Sequence, residues 1–294
     1  LKTEINGEDV RRAYSISSAP HENEWKVAVK KVENGKFSNF ANNKLKKGDL
    51  LEVMTPTGNF NLTTEANAEK SYVLFAAGSG VTPILSIAKS VLKEEPNSDV
   101  TLFYGNKNFG SIIFREELEA LKNEYMNRLR IVHVLSRESL GNTIQKGRID
   151  KEKVEKLIKA FLNGVNIDSV FVCGPESMIF SVKDALIEYG VAEKSIHFEL
   201  FTASTPIQIK EVSNEPKVES NVSIILDGDR IDLVLNSNDE SILDAAQKAG
   251  ADLPFACKGG VCCTCKAKII EGSVRMDVNY GLEADEIEAG YILT

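Results

Sequence analysis

The sequence predicts a multidomain chain of mixed α/β class: antiparallel strands over 1–68, a doubly wound parallel sheet over 69–202, a linker over 203–220 and a small α+β domain over 221–294. Three observations carry this. Apolar runs of strand length alternate with amphipathic helical stretches from Ser71 to Phe201, the pattern of a parallel sheet covered by helices. Thr205-Pro206, Pro216 and the polar stretch between them then interrupt the alternation, as a semi-extended linker does. Beyond it, Cys257-Lys258-Gly259-Gly260-Val261-Cys262-Cys263-Thr264-Cys265 packs four of the five cysteines into nine residues.

In the first segment Trp25, Val27 and Val29 alternate with Lys26 and Lys30, predicting a strand. Residues 50–54 predict another, closed by the turn Thr55-Pro56-Thr57-Gly58. Arg12-Ala13-Tyr14-Ser15 sets a planar cation, an aromatic face and a hydroxyl along one strand end. Gly35-Lys36-Phe37-Ser38 opens a helical stretch over 39–43 and offers free N–H groups and a hydroxyl to an anion. Taken singly, the first group is equally an edge strand with a solvated arginine and the second an ordinary helix start.

The alternating segment predicts strands at 71–76, 100–104, 130–135, 169–173 and 196–201, with helices at 111–125, 151–161 and 176–189. After the first strand, Ile84, Ile87, Ala88, Val91 and Leu92 mark the apolar face of a further helix. Between that strand and helix stands Gly78-Ser79-Gly80-Val81-Thr82-Pro83. Its small residues let the backbone approach a diphosphate at the helix N-terminus, and Pro83 suits the first helical turn. The third glycine of Gly-x-Gly-x-x-Gly is absent, so the loop is a dinucleotide loop of another type or a tight turn. Ligands of such sheets bind at the carboxyl ends of the strands. Ser136-Arg137 and Cys173-Gly174-Pro175 also fall there. Arg137 is a fork suited to phosphate or a surface arginine. Cys173 lines a ligand pocket or fills a strand end.

In the last domain, runs at 222–226 and 231–235 flank Asp227-Gly228-Asp229, a hairpin signal. Ser241 caps a helix running to Ala249, and a strand at 266–270 turns at Glu271-Gly272, giving a small mixed sheet crossed by one helix. Cys257, Cys262 and Cys265 stand at the C-x4-C-x2-C spacing of a plant-type [2Fe-2S] loop, with Cys263 outside that spacing. Zinc or plain thiols are the other readings, although no second paired knuckle accompanies the Cys262–Cys265 pair.

Composition narrows the function classes. The chain of 294 residues is 43% hydrophobic, ordinary for globular protein, and has no apolar run of membrane-spanning length and no cleavable leader pattern. The expectation is a cytoplasmic protein, its clustered cysteines suiting a metal site in a reducing compartment. Net charge is −8, and residues 221–294 carry 13 Asp and Glu against 6 Lys and Arg. Such an acidic module steers a basic partner or is simply soluble. Without a basic stripe, nucleic-acid binding is disfavoured.

These motifs, in this order and over essentially the whole chain, resemble the ferredoxin-NADP reductase superfamily, specifically oxygenase reductases with a C-terminal ferredoxin domain. The resemblance implies an antiparallel flavin β-barrel, an α/β NADP domain and a β-grasp ferredoxin domain. It also implies an oxidoreductase passing electrons from NAD(P)H through FAD and a [2Fe-2S] cluster to an oxygenase component. Arg12 would meet the FAD diphosphate, Tyr14 face the isoalloxazine with Ala13 beside it, and Ser15 sit near its reactive N5. Gly35, Lys36, Phe37 and Ser38 would hold the diphosphate. Gly78, Ser79, Gly80, Val81, Thr82 and Pro83 would form the nicotinamide-nucleotide loop. Ser136 and Arg137 would read a 2′-phosphate, Cys173, Gly174 and Pro175 would lie beside the nicotinamide, and Glu199, in Phe198-Glu199-Leu200-Phe201, would stand at the flavin edge. Ser15, Cys173 and Glu199 are thus the expected catalytic set, and Cys257, Cys262 and Cys265 the expected metal ligands. Family barrel strands, one with a Pro-Gly-Gln type sequence, are expected before Leu1, and a fourth cluster cysteine just past 290–294; both ends read as trimmed. The competing readings are a non-enzymatic iron-sulfur carrier or scaffold, and an FMN- and NADH-using enzyme of the phthalate-dioxygenase-reductase type.

Overall fold

The computed structural model describes residues 1–201, 219–236 and 240–294. The chain divides into two compact units, one formed by Leu1–Ala13, Leu51–Asn59 and Thr202–Thr294, the other by Tyr14–Leu50 and Phe60–Phe201. In chain order the elements are β1 (Lys2–Ile5), β2 (Glu8–Arg11), α1 (Lys36–Asn43), β3 (Ser71–Ala77), α2 (Val81–Glu94), β4 (Asp99–Asn106), α3 (Arg115–Glu124), β5 (Leu129–Leu135) and α4 (Lys151–Phe161). There follow β6 (Ser169–Cys173), α5 (Glu176–Tyr189), β7 (Ile196–Glu199), β8 (Glu219–Leu226), β9 (Asp229–Asn236), α6 (Ile242–Lys248), β10 (Lys266–Lys268), α7 (Ala284–Glu288) and β11 (Tyr291–Leu293).

The unit built on Tyr14–Leu50 and Phe60–Phe201 is organised by a parallel five-stranded sheet in the order β5-β4-β3-β6-β7. Winding runs outward from β3 in both directions, so the topological switch lies between β3 and β6. Strands buried on both faces read as continuous apolar runs, and β3 is such a run from Tyr72 to Ala76. Tyr72, Leu74, Leu102 and Tyr104 pack under Ile84, Leu85, Val91 and Leu92 of α2 and Leu118 of α3. On the opposite face Phe75 stacks on Phe103 at 4.9 Å between ring centres, and Phe103 meets Phe161 of α4 at 6.0 Å. At the amino edge of the sheet a fully buried Glu95 accepts from the Tyr72 hydroxyl at 3.1 Å, the Ser98 hydroxyl at 2.7 Å and the Glu65 amide at 3.0 Å. A buried carboxylate is tolerated because each of these bonds replaces water.

The other unit contains the hairpins β1–β2 and β8–β9 and the pair β10–β11, all antiparallel. Asn6-Gly7 and Asp227-Gly228 turn the two hairpins with all four residues at positive φ, the geometry of a two-residue type I′ turn. Leu243 and Ala246 of α6 pack on Leu253 and Cys265, with Ile224, Leu226, Leu233 and Leu293 around them.

Several expectations are corrected. The strand expected at Trp25–Val29 forms a single bridge, Ile16–Val27, and the one at 50–54 a single bridge, Lys2–Glu52. Trp25 is 68% exposed, so its alternation is not locked by a covering layer. The helix expected from Asn39 begins at Lys36, which puts Ser38 inside the first turn. The last domain has two separate described ladders, β8–β9 and β10–β11, in place of one mixed sheet, and side chains of both, Ile224, Leu226, Leu233 and Leu293, meet in the core around α6. Most of the expected linker, residues 203–218, lies outside the described residues, and 219–220 belong to β8.

Candidate functional site

Ser15 and Glu199, 184 residues apart in sequence, meet directly: the Ser15 hydroxyl donates to Glu199 Oε2 at 2.6 Å in a part-buried setting. Glu199 closes β7, where the ladder sets it opposite Cys173, the last residue of β6. Cys173 is wholly buried in the sheet core, and its thiol is pushed well up, first by burial and then by the Glu199 charge. A thiol so placed stays protonated and apolar at neutral pH. The three residues expected to be catalytic are thus brought to one corner of the sheet's carboxyl edge.

The glycine loop adjoins that corner across the switch point. A Cβ on Gly80 would lie 2.1 Å from the Cys173 carbonyl oxygen and 2.9 Å from the Gly174 nitrogen, and a Cβ on Gly174 would lie 3.2 Å from the Cβ of Ala77. Two backbones therefore touch here with no side chain between them. Tyr104 Oη donates to the Gly78 carbonyl at 2.9 Å, and the Thr82 hydroxyl to the Ser79 carbonyl at 3.0 Å, fixing the loop ahead of α2. Burial pushes the Tyr104 phenol up to about 12, so it remains a donor. No described side chain caps α2, which leaves its first amides and the positive end of its dipole for an anion. Val81 and Thr82, read from the sequence as loop residues, form the first turn of this helix together with Pro83, which was expected there. The Nζ of Lys30 stands 3.3 Å from where a Gly78 Cβ would be, at the mouth of the loop.

Tyr14 lies against Phe37, ring centres 5.4 Å apart. Phe37 is buried at the start of α1, behind Gly35 and Lys36. The Ser38 Oγ accepts from the Val32 amide at 3.2 Å, and a Cβ on Gly35 would fall 2.5 Å from that oxygen, so the turn admits only glycine without rearrangement. Ser136 and Arg137 follow β5 and donate their amides to the Asn106 and Lys107 carbonyls at 2.9 and 2.8 Å, with Arg137 exposed. Arg12 and Ala13 belong to the other unit, where the Arg12 amide bonds the Leu1 carbonyl at 2.9 Å.

In the cysteine loop the Cys257 and Cys262 sulfurs are 3.1 Å apart and half-buried. The Cys262 bond, helped by amides of Gly259, Val261 and Cys262, lowers Cys257 to about 5, while the same bond and burial push Cys262 up. Lys258 and Gly260 adopt positive φ, curling the backbone so that Gly259 N–H points at Cys257 Sγ at 3.4 Å. Sulfur acceptors faced by amides are the kind of donor a thiolate-ligated cluster uses, and Cys257 and Cys262 supply two of them side by side. Cys265 is buried beneath the loop, and Cys263 turns aside to donate to the Gly281 carbonyl at 2.9 Å. Among the described residues no three His, Cys, Asp or Glu side chains gather as a ligand set for an ion.

Sequence reasoning missed Tyr104 as the anchor of the glycine loop and Lys30 at its mouth, both read only as strand residues. It also missed Arg11 and Asn59, whose partners are distant in sequence.

Three family models match the chain in succession: "Oxidoreductase FAD-binding domain" over residues 1–62, "Oxidoreductase NAD-binding domain" over 74–184 and "2Fe-2S iron-sulfur cluster binding domain" over 224–294. The chain is 43% identical over 295 aligned residues to a subunit of the 1,2-phenylacetyl-CoA epoxidase of Escherichia coli (strain K12), covering 100% of this chain and 82% of that one. It is 32% identical to the 3-ketosteroid-9-alpha-monooxygenase ferredoxin reductase component of Rhodococcus rhodochrous, covering 97% and 78%. Among solved structures, an intact type IV self-sufficient cytochrome P450 monooxygenase shares the fold at TM-score 0.69 and 23% identity, over 97% of this chain and 33% of that one.

Proposed function

Because the chain belongs to the ferredoxin-NADP reductase superfamily, as an oxygenase reductase with a C-terminal 2Fe-2S domain, we propose that it is the reductase component serving a phenylacetyl-CoA epoxidase. The observation that carries this is the FAD, NAD and 2Fe-2S order along one chain together with 43% identity over its full length. Bound FAD supplies conversion of a hydride from NAD(P)H into single electrons, and a [2Fe-2S] cluster supplies one-electron delivery to the oxygenase.

The protein's own residues bind, orient and shield. In this reading Arg12, Ala13, Tyr14 and the Gly35–Ser38 turn hold the FAD. The amides behind Gly78–Gly80 and at the start of α2 receive the nucleotide diphosphate, and Gly174 and Pro175 border the nicotinamide. Ser15, held by Glu199 at 2.6 Å, presents a fixed hydroxyl at the flavin's reactive edge. Ser136 and Arg137 favour NADPH through its 2′-phosphate, for which the guanidinium fork suits better than an ammonium. Cys257, Cys262 and Cys265 hold the irons. The domain limits in this reading are 1–68, 69–202 and 221–294, joined by 203–220, in a cytoplasmic protein. No helix among the described residues is long and apolar enough to cross a membrane.

An anaerobic NADPH titration followed in the visible spectrum tests the proposal. Bleaching of the flavin bands together with the iron-sulfur absorbance is expected. An inert spectrum with both cofactors bound, under NADPH and NADH alike, refutes it.

A further inference from the structure

Within the unit that contains β1–β2 and the C-terminal residues, two side chains of the FAD-binding segment touch the two flanks of the cysteine loop. Arg11, at the end of β2, has a side chain only 12% exposed. Its Nη2 donates to Asp252 Oδ1 at 2.5 Å and to Asp9 Oδ2 at 2.7 Å, and its Nη1 donates to the Leu253 carbonyl at 3.2 Å. The guanidinium lies 4.6 Å from the centre of the Phe255 ring, two residues ahead of Cys257, and Lys258 lies over the same ring at 4.7 Å. On the other flank Asn59 Nδ2 donates to Glu286 Oε2 at 2.6 Å, with the Gly281 carbonyl at 3.4 Å. That carbonyl also receives the Cys263 thiol, and Glu286 Oε1 receives Lys266, the residue after Cys265.

Neither Arg11 nor Asn59 belongs to a cofactor motif, yet both spend their donors on the loop's surroundings. A planar fork bonded on two sides and stacked on a ring fixes orientation as well as distance, which a lysine there would not. A second contact across the loop removes the remaining rotation. The geometry points to Arg11 and Asn59 as positioning residues that clamp the cysteine loop onto the FAD-binding segment, holding one pose for electron transfer within the chain. The inference rests on the flavin-to-cluster route proposed above.

The test compares the holoprotein with Arg11→Ala, Asn59→Ala and the double variant. Hydrogen exchange across 252–266 is expected to accelerate in the double variant by about five- to thirty-fold, the factor for losing one or two modest contacts, with no change across Ser71–Ala77. In anaerobic stopped-flow the flavin bleaches with NADPH at the wild-type rate, while cluster bleaching slows by a similar factor. Wild-type exchange and wild-type cluster reduction in the double variant overturn the clamp. If the wild-type cluster is not reduced by NADPH at all, the proposed electron route falls, and the exchange measurement still decides the clamp.

Discussion

Replacing Gly80 by alanine probes the junction on which the nucleotide site is built. The new Cβ would stand 2.1 Å from the Cys173 oxygen, 2.5 Å from its carbonyl carbon and 2.9 Å from the Gly174 nitrogen. Reaching the ~3.5 Å at which nonbonded atoms meet requires a withdrawal of roughly 1.4 Å. All three obstacles are backbone, and Cys173 is held in the ladder opposite Ala76, so no side chain can swing away to relieve the contact. The cost belongs at the upper end of overpacking, about 3 kcal/mol. In a unit of this size that lowers the melting midpoint by roughly 6–12 °C, at ~2–4 °C per kcal/mol. Gly110→Ala is the control: its Cβ would approach nothing nearer than 3.7 Å, so it shifts stability by less than about 0.5 kcal/mol. Calorimetry of the two variants reads the difference, and steady-state kinetics reads a raised KM for NADPH in Gly80→Ala alone. If both variants melt together with unchanged KM, the close approach between the glycine loop and the Cys173-Gly174 turn does not exist in solution.

Ser15→Ala removes a hydroxyl bonded to a carboxylate at 2.6 Å and is expected to slow flavin reduction by roughly 10- to 100-fold, read at the flavin band in stopped-flow, with FAD retained. Cys262→Ser abolishes NADPH-dependent cytochrome c reduction while keeping ferricyanide reduction, whereas Cys263→Ser, whose thiol faces the Gly281 carbonyl, keeps its iron content. Arg137→Ala raises KM for NADPH by about tenfold or more and leaves KM for NADH near wild type, since only the former offers a 2′-phosphate to the fork. The Arg11 hydrogen bond lowers the Asp252 carboxyl below its ordinary value. Stabilisation from a depressed carboxylate is complete above the unfolded value of about 3.9 and disappears as pH falls through the folded one. The stability difference between wild type and Asp252→Ala, read by thermal melts, is therefore flat from about pH 5 to 7 and shrinks below about pH 4; it is small, because the aspartate side chain is 73% exposed.

The parallel sheet was legible because its signals are local. A buried β3 followed by a glycine loop and an amphipathic α2 reads the same in sequence as in space. Cysteine spacing is likewise a property of one turn. The pairing of Ser15 with Glu199 spans 184 residues and was foreshadowed only through family resemblance. Arg11 carried no local signal at all, since Asp252 and Phe255 leave no trace in its neighbourhood. The alternation at Trp25, Val27 and Val29 misled because alternation records a face, not a partner, and only Val27 found one. Nor does any local pattern reveal that 1–13 and 51–59 are grouped with the C-terminal residues while 14–50 is grouped with the parallel sheet.

That grouping has a consequence for biosynthesis. Arg11 leaves the ribosome 241 residues before Asp252, its partner. At ~5–20 residues per second the gap is roughly 12–48 s. Within it the parallel sheet receives all five of its strands, the last being β7 at Ile196–Glu199, before Asp252 is made. The β1–β2 hairpin can pair with Glu52 early in that interval, but Arg11 waits through all of it for Asp252, Leu253 and Phe255. Residues 1–13 thus complete their contacts only with the C-terminal domain, so slowed translation lengthens the interval in which Arg11 meets chaperones and proteases without its partners.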